Sequence, residues 1–191
     1  MKLNLATKIT IFRIILIPVM IIVLLFNNND DSINIFGFKV YVPYLWALLI
    51  YVVAALSDAL DGYIARSTNT VTNLGKLLDP IADKLLVNCL LLFFLFQNYL
   101  DFLSVLIIIS RDIIVDALRM VCLENKVVIA ASNLGKIKTI LHMVTIGLVL
   151  FFAYPKEQLP TSINILVYLC VLMSLVSGFD YFKKNYSKIN F

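Results

Sequence analysis

Charge is scarce in this chain of 191 residues: Asp, Glu, Lys and Arg make up 15%, against about 25% in a typical soluble domain. Hydrophobic residues reach 61%, and the mean hydropathy is +0.94. So few polar side chains cannot cover a water-soluble surface, which excludes a soluble domain and points to an integral membrane protein. Cysteine is also rare. Cys89, Cys122 and Cys170 are odd in number, lie in apolar stretches and form no CxxC, which excludes a disulfide framework or a zinc ribbon. They read as small buried hydrophobes. No small-x-small cleavage site follows the apolar run from Ile14 to Phe26; the chain continues Asn27-Asn28-Asn29-Asp30-Asp31, so this first segment is expected to be retained. There is no internal repeat, no low-complexity tract beyond that Asn/Asp run and no separate soluble domain. A net charge of +4 in such a sequence reports membrane topology rather than nucleic-acid binding, and no nucleic-acid partner is expected.

What the chain has is apolar runs long enough to span a bilayer, which takes about 20 residues. Six are expected, at about 10–27, 43–64, 76–97, 102–122, 134–154 and 160–182. A short amphipathic segment, about 1–9, leads into the first. The fold class is therefore all-α integral membrane, one domain over 1–191. Placing the N-terminus in the cytoplasm puts fourteen of the 16 basic residues on that side, leaving only Lys39 and Lys156 opposite. That asymmetry predicts both termini cytoplasmic. Tyr41, Tyr44 and Trp46 suit an interfacial aromatic belt, and Pro80 is expected in the first turn of span three, where proline is tolerated.

Four aspartates are out of place in such spans. Asp58 and Asp61 are three apart, Asp79 and Asp83 four apart, so each pair is expected on one helix face. Two successive helices joined by a short cytoplasmic link then direct four carboxylates at one another. Each costs ~2.5–3.5 kcal/mol at mid-span, less nearer the interface. Two divalent cations would cancel both the burial cost and the mutual repulsion, and oxygen-only ligands favour Mg²⁺ or Mn²⁺. Salt bridges to Arg66, Lys76 and Lys84 are the plainer alternative for any one of them. Gly62 and Ala65 permit close approach of a ligand to the helix backbone, and Gly75 opens the third span, where backbone N–H groups suit an anion. Small residues also serve close helix packing in membranes.

The pattern D-x2-D-G-x2-A-R-x8-G-x3-D-x3-D, from Asp58 to Asp83, resembles the signature of the CDP-alcohol phosphatidyltransferase family. Asn4-Leu-Ala-Thr7-Lys8-Ile-Thr10-Ile-Phe-Arg13, Arg111-Asp112 through Arg119, Gly135-Lys136-Ile-Lys138-Thr139 and Ser177-Gly178-Phe-Asp180-Tyr181 are similar to the bacterial subgroup that uses glycerol 3-phosphate. The resemblance implies a six-helix membrane enzyme, commonly a homodimer, that transfers the phosphatidyl group of CDP-diacylglycerol to sn-glycerol 3-phosphate and releases CMP. The positive-inside topology, with no cleavable targeting segment, fits a bacterial plasma membrane, with the active site expected to face the cytoplasm. The resemblance also implies metal ligation by Asp58, Asp61, Asp79 and Asp83, with Asp83 as general base. Asp58, Gly62, Ala65, Arg66 and Gly75 would form the cytidine nucleotide pocket.

An acceptor phosphate needs its own cations. Arg111 and Arg119, eight residues apart within span four, fall near one helix face, and intramembrane arginines are functional candidates whose forks suit phosphate. Lys136 is the expected third contact and Thr7 a further one. The competing expectation pairs the arginines with Asp112 and Asp116, or has them snorkel to the interface. His142, the single histidine, is expected to be a packed residue. Inositol phosphate, serine or phosphatidylglycerol are alternative acceptors. A divalent-cation transporter is the alternative from another class, although such transporters usually show repeated halves. A membrane prenyltransferase would release pyrophosphate instead of CMP.

Overall fold

The computed structural model describes residues 5–26, 31–35, 37–67, 73–124, 133–155 and 157–185; within them, the side chains of 5–6, 58–77, 79–80, 123–124 and 185 lie outside the description. The described residues form six helices: α1 (Leu5–Phe26), α2 (Val42–Ser67), α3 (Asn73–Phe96), α4 (Phe102–Glu124), α5 (Asn133–Phe152) and α6 (Thr161–Asn185). At 1.5 Å per residue, each is about 30 Å long or more. Each expected span falls on one helix. The first starts at Leu5, so residues 5–9 of the expected amphipathic lead-in belong to α1, which also runs through Pro18, and the rest of it lies outside the described residues. Helix α3 starts at Asn73, which puts Pro80 beyond the first turn; membrane helices accept such prolines because neighbours re-satisfy the freed backbone groups.

A β-hairpin, β1 (Ser32–Ile35) and β2 (Phe38–Tyr41), is an addition to the expected all-α fold. The strands pair antiparallel, with Ser32 opposite Tyr41 and Ile35 opposite Phe38. This leaves a two-residue connection in which Gly37 has φ of 83°, a conformation glycine adopts freely. The hairpin caps one end of the bundle. Phe38 packs edge-on against Phe152, and Lys39 lies 4.2 Å over the Tyr154 ring. Trp46 faces outward as a belt residue would, but Tyr41 and Tyr44 are buried. Their rings meet edge-on at 4.9 Å, and the Tyr44 hydroxyl lies 3.2 Å from that of Tyr99. Covering by the hairpin draws these two rings into the core instead of a lipid-facing belt.

Helix α1 packs on α2 and α3, α5 on α2 and α6, and α4 on α6. Met20, Tyr44, Ala47, Leu90, Phe94 and Leu150 form part of the shared core. The outer surface is as apolar as the interior: Phe12, Ile15, Phe26, Phe96, Leu103, Ile140, Tyr168 and Phe179 are all exposed. A soluble protein rarely exposes apolar area on this scale; hydrocarbon is its natural solvent. Among the described residues, Thr7–Phe26, Asn133–Phe152 and Thr161–Lys184 are long and apolar enough to cross a membrane. Helices α3 and α4 carry more charge, and Asp83, Lys84, Arg111, Asp112, Asp116 and Arg119 among these residues line a cleft.

Helix α4 begins on an N-cap. The Ser104 amide donates to an Asp101 carboxylate oxygen at 2.9 Å, and the Ser104 hydroxyl to the other at 2.7 Å. Asp101→Ala is expected to lower stability by about 1 kcal/mol, read as a lower thermal midpoint in detergent with unchanged turnover per folded molecule.

Candidate active site

A cleft of about 440 Å³ opens between α2, α3, α4, α5 and α6. Helix α3 supplies Asp83 and Lys84, α4 supplies Arg111, Asp112, Asp116 and Arg119, α5 supplies Lys136, Lys138 and His142, and α6 supplies Tyr181. Asp112, Asp116 and Arg119 recur at helical spacing and therefore share a face of α4; Lys138 and His142 do the same on α5. The opposite wall, from Tyr51, Ala54 and Ala55 of α2 with Leu86 and Val87 of α3, is apolar.

Most of these charges are tied to one another. Lys138, buried, donates to both oxygens of Asp112 at 2.6 Å. Asp112 also accepts from Arg111 Nη1 at 2.9 Å, so one carboxylate joins α4 to α5. Lys84 forms an ion pair with Asp116. Arg111 therefore does take the expected partner Asp112, whereas Asp116 is taken by Lys84 rather than by Arg119. Arg119 and Lys136 are exposed at the cleft and have no hydrogen bond or ion pair among the described residues. Of the described lining residues, five are cationic and three anionic, so the described lining carries an excess of positive charge. In a low-dielectric setting that excess selects an anionic ligand, and arginine beside lysine suits a phosphate.

Asp83 is held from the far side. Arg13 of α1 is wholly buried, and its Nη1 donates to Asp83 Oδ1 at 2.6 Å. The Asp83 side chain itself remains 46% exposed, so a carboxylate fixed at its back still faces the cleft. Thr7 and Thr10 are buried on α1 six and three residues before Arg13; Thr7 is not among the residues lining the cleft. His142 is buried, with Nδ1 3.3 Å from the Lys138 carbonyl oxygen and Nε2 without a hydrogen-bond partner among the described residues. Its packing agrees with the expectation for it.

Asp58, Asp61, Gly62, Ala65 and Arg66 lie on the C-terminal part of α2, and Gly75 and Asp79 on the N-terminal part of α3, but their side chains lie outside the described residues. Of the proposed carboxylate set, Asp83 is the member whose surroundings are described. Arg13, Lys84 and Lys138 were not among the expected site residues. A helical register anchored on His142 would have found Lys138, four residues before it. A basic residue near the N-terminus, by contrast, is indistinguishable by sequence from an ordinary cytoplasmic anchor.

The sequence matches the family model for CDP-alcohol phosphatidyltransferase over residues 3–176. It is 35% identical over 187 residues to a Bacillus subtilis protein named CDP-diacylglycerol–glycerol-3-phosphate 3-phosphatidyltransferase, covering 97% of each chain. Proteins of the same name from Rickettsia typhi and Mycoplasma genitalium are 35% and 36% identical, over 94% and 85% of this chain and 96% and 71% of theirs. The motif from Asp58 to Asp83, the charged cleft beside it and these matches agree: the chain belongs to the CDP-alcohol phosphatidyltransferase family.

Proposed function

We propose that this protein transfers the phosphatidyl group of CDP-diacylglycerol to sn-glycerol 3-phosphate, giving phosphatidylglycerophosphate and CMP. The observation that carries the acceptor assignment is the cationic cleft beside Asp83, with Arg119 and Lys136 exposed in it; an acceptor without a phosphate would have no use for that excess of charge. The names of the relatives support the same donor and acceptor. All six helices span the bilayer with both termini in the cytoplasm, the cleft opens toward the cytoplasmic face of a bacterial plasma membrane, and the enzyme works as a homodimer.

Asp58, Asp61, Asp79 and Asp83 form an oxygen-only donor set that fits two Mg²⁺ or Mn²⁺ ions, and the exposure of Asp83 toward the cleft is compatible with that use. Bound there, the ions would supply charge neutralisation on both sides of an in-line displacement at phosphorus. Asp58, Gly62, Ala65, Arg66 and Gly75 receive the cytidine nucleotide, with Arg66 on phosphate. Arg111, Arg119 and Lys136 hold the acceptor phosphate. Asp83 takes the proton from the acceptor hydroxyl as its oxygen attacks the β-phosphorus; the bond from that phosphorus to the bridging oxygen breaks, and CMP leaves with the electron pair. A single displacement suffices, with no covalent enzyme intermediate.

Arg119→Ala tests the acceptor site. Losing a charge-assisted contact of about 1.5–3 kcal/mol raises the KM for glycerol 3-phosphate roughly 10–100-fold and leaves the KM for CDP-diacylglycerol unchanged. Equal changes in both, or none in either, would place the acceptor phosphate elsewhere.

A further inference from the structure

Arg111 is fastened at three points, two of them on α6. Its Nε donates to the Ser174 carbonyl at 3.2 Å and its Nη2 to the Ser177 hydroxyl at 2.9 Å, while Nη1 donates to Asp112. The Ser177 hydroxyl in turn donates to the Ser174 carbonyl at 3.1 Å, and both serines are completely buried. A guanidinium has five N–H donors. With three engaged, one remains on each terminal nitrogen, the pair that a bidentate contact with phosphate uses. Gly178 completes the arrangement by its lack of a side chain: a methyl group at that position would lie 3.0 Å from Arg111 Cγ and 3.3 Å from Nε. Such contacts displace the arginine stem by a few tenths of an ångström and disturb the hydrogen bonds beyond it.

We infer that Ser177 and Gly178, with the Ser174 carbonyl, form a seat on α6 that positions Arg111 for the acceptor phosphate, so that these two residues determine acceptor affinity without touching the acceptor. The inference rests on the assignment of Arg111 to that phosphate. A long side chain left unseated would sample many rotamers and lose entropy on each binding event; the seat removes that cost in advance. It also spends three donors on the protein, which shapes the site for a doubly contacted anion rather than for a neutral hydroxyl group.

The test uses the full chain in detergent with Mg²⁺, measuring KM for glycerol 3-phosphate and for CDP-diacylglycerol in Gly178→Ala, Ser177→Ala, Arg111→Ala and the double variant Arg111→Ala/Gly178→Ala. Gly178→Ala is expected to raise the glycerol 3-phosphate KM about tenfold, and Ser177→Ala about threefold, as one hydrogen bond of three is lost. The donor KM stays unchanged in both. On the Arg111→Ala background, Gly178→Ala adds nothing, because alanine has no Cγ for the methyl to meet. A general loss of folded protein would lower the active fraction and leave both KM values alone. Should Gly178→Ala not fold, Ser177→Ala carries the test. Unchanged acceptor KM in the α6 variants, or an increment that adds fully to that of Arg111→Ala, overturns the seat. Unchanged acceptor KM in Arg111→Ala overturns the assignment beneath it.

Discussion

Asp83→Asn is expected to lower kcat for CMP release by about 10²–10⁴-fold, the usual worth of a positioned general base. Asparagine keeps the size of the side chain and an oxygen that can accept from Arg13 Nη1, so the contact that fixes this position survives in kind. It cannot take up a proton, and as a neutral amide it is a weaker ligand for a hard cation. The protein should therefore remain folded and bind CDP-diacylglycerol while turnover collapses. EDTA should have a comparable effect on the unaltered enzyme, reversed by adding Mg²⁺ or Mn²⁺. Turnover of Asp83→Asn within a factor of about ten of the parent would remove Asp83 from the role of base. Measuring the thermal midpoint on the same samples separates this loss from unfolding.

Arg13→Ala is expected to have the largest effect on stability. Its guanidinium is wholly buried and meets Asp83 across the interface of α1 with α3. Breaking a fully buried ion pair by removing one partner costs about 3–5 kcal/mol. Asp83 keeps contact with solvent through the cleft, so the expected loss is nearer 2–4 kcal/mol after screening. The stem of the arginine adds to this, since its methylenes fill space that alanine leaves empty. Arg13→Lys keeps the charge but not the fork, and should recover part of the stability and less of the activity, because the carboxylate is then held by a point charge. The Arg13→Ala/Asp83→Asn double variant should be more stable than the sum of the single losses predicts, as expected for partners in one interaction. A thermal midpoint for Arg13→Ala equal to that of the parent would show that the pair does not bind α1 to the bundle.

The division between what the residues disclosed and what they withheld follows from the range of the forces involved. Apolar runs of about 20 residues locate helices without any tertiary information, and all six were legible. The hairpin was not. Ser-Ile-Asn-Ile and Phe-Lys-Val-Tyr alternate at period two over only four residues each, too short to stand out between two apolar helices. The aspartate pattern was legible because carboxylates in apolar surroundings demand compensation wherever they fold. Which cation faces inward was harder. Lys136 and Lys138 are two apart and both line the cleft, but Lys138 is buried against Asp112 of α4 while Lys136 stays exposed. Arg13 belongs to the same class of difficulty: the charge that fixes Asp83 lies 70 residues away in sequence, and its burial exists only once α1 has docked on α3. Ser177 and Gly178 were visible as part of a family-like ending, yet nothing local marks them as the support of an arginine on another helix.

The measurement that bears most directly on the whole account is CMP release by detergent-purified protein given CDP-diacylglycerol and Mg²⁺ or Mn²⁺, with glycerol 3-phosphate, inositol 1-phosphate, serine and phosphatidylglycerol offered one at a time. Turnover is expected with glycerol 3-phosphate and not with the others. Turnover with another acceptor alone would contradict the reading of the cationic cleft, and no CMP with any acceptor from a folded, metal-supplied sample would contradict the transferase itself.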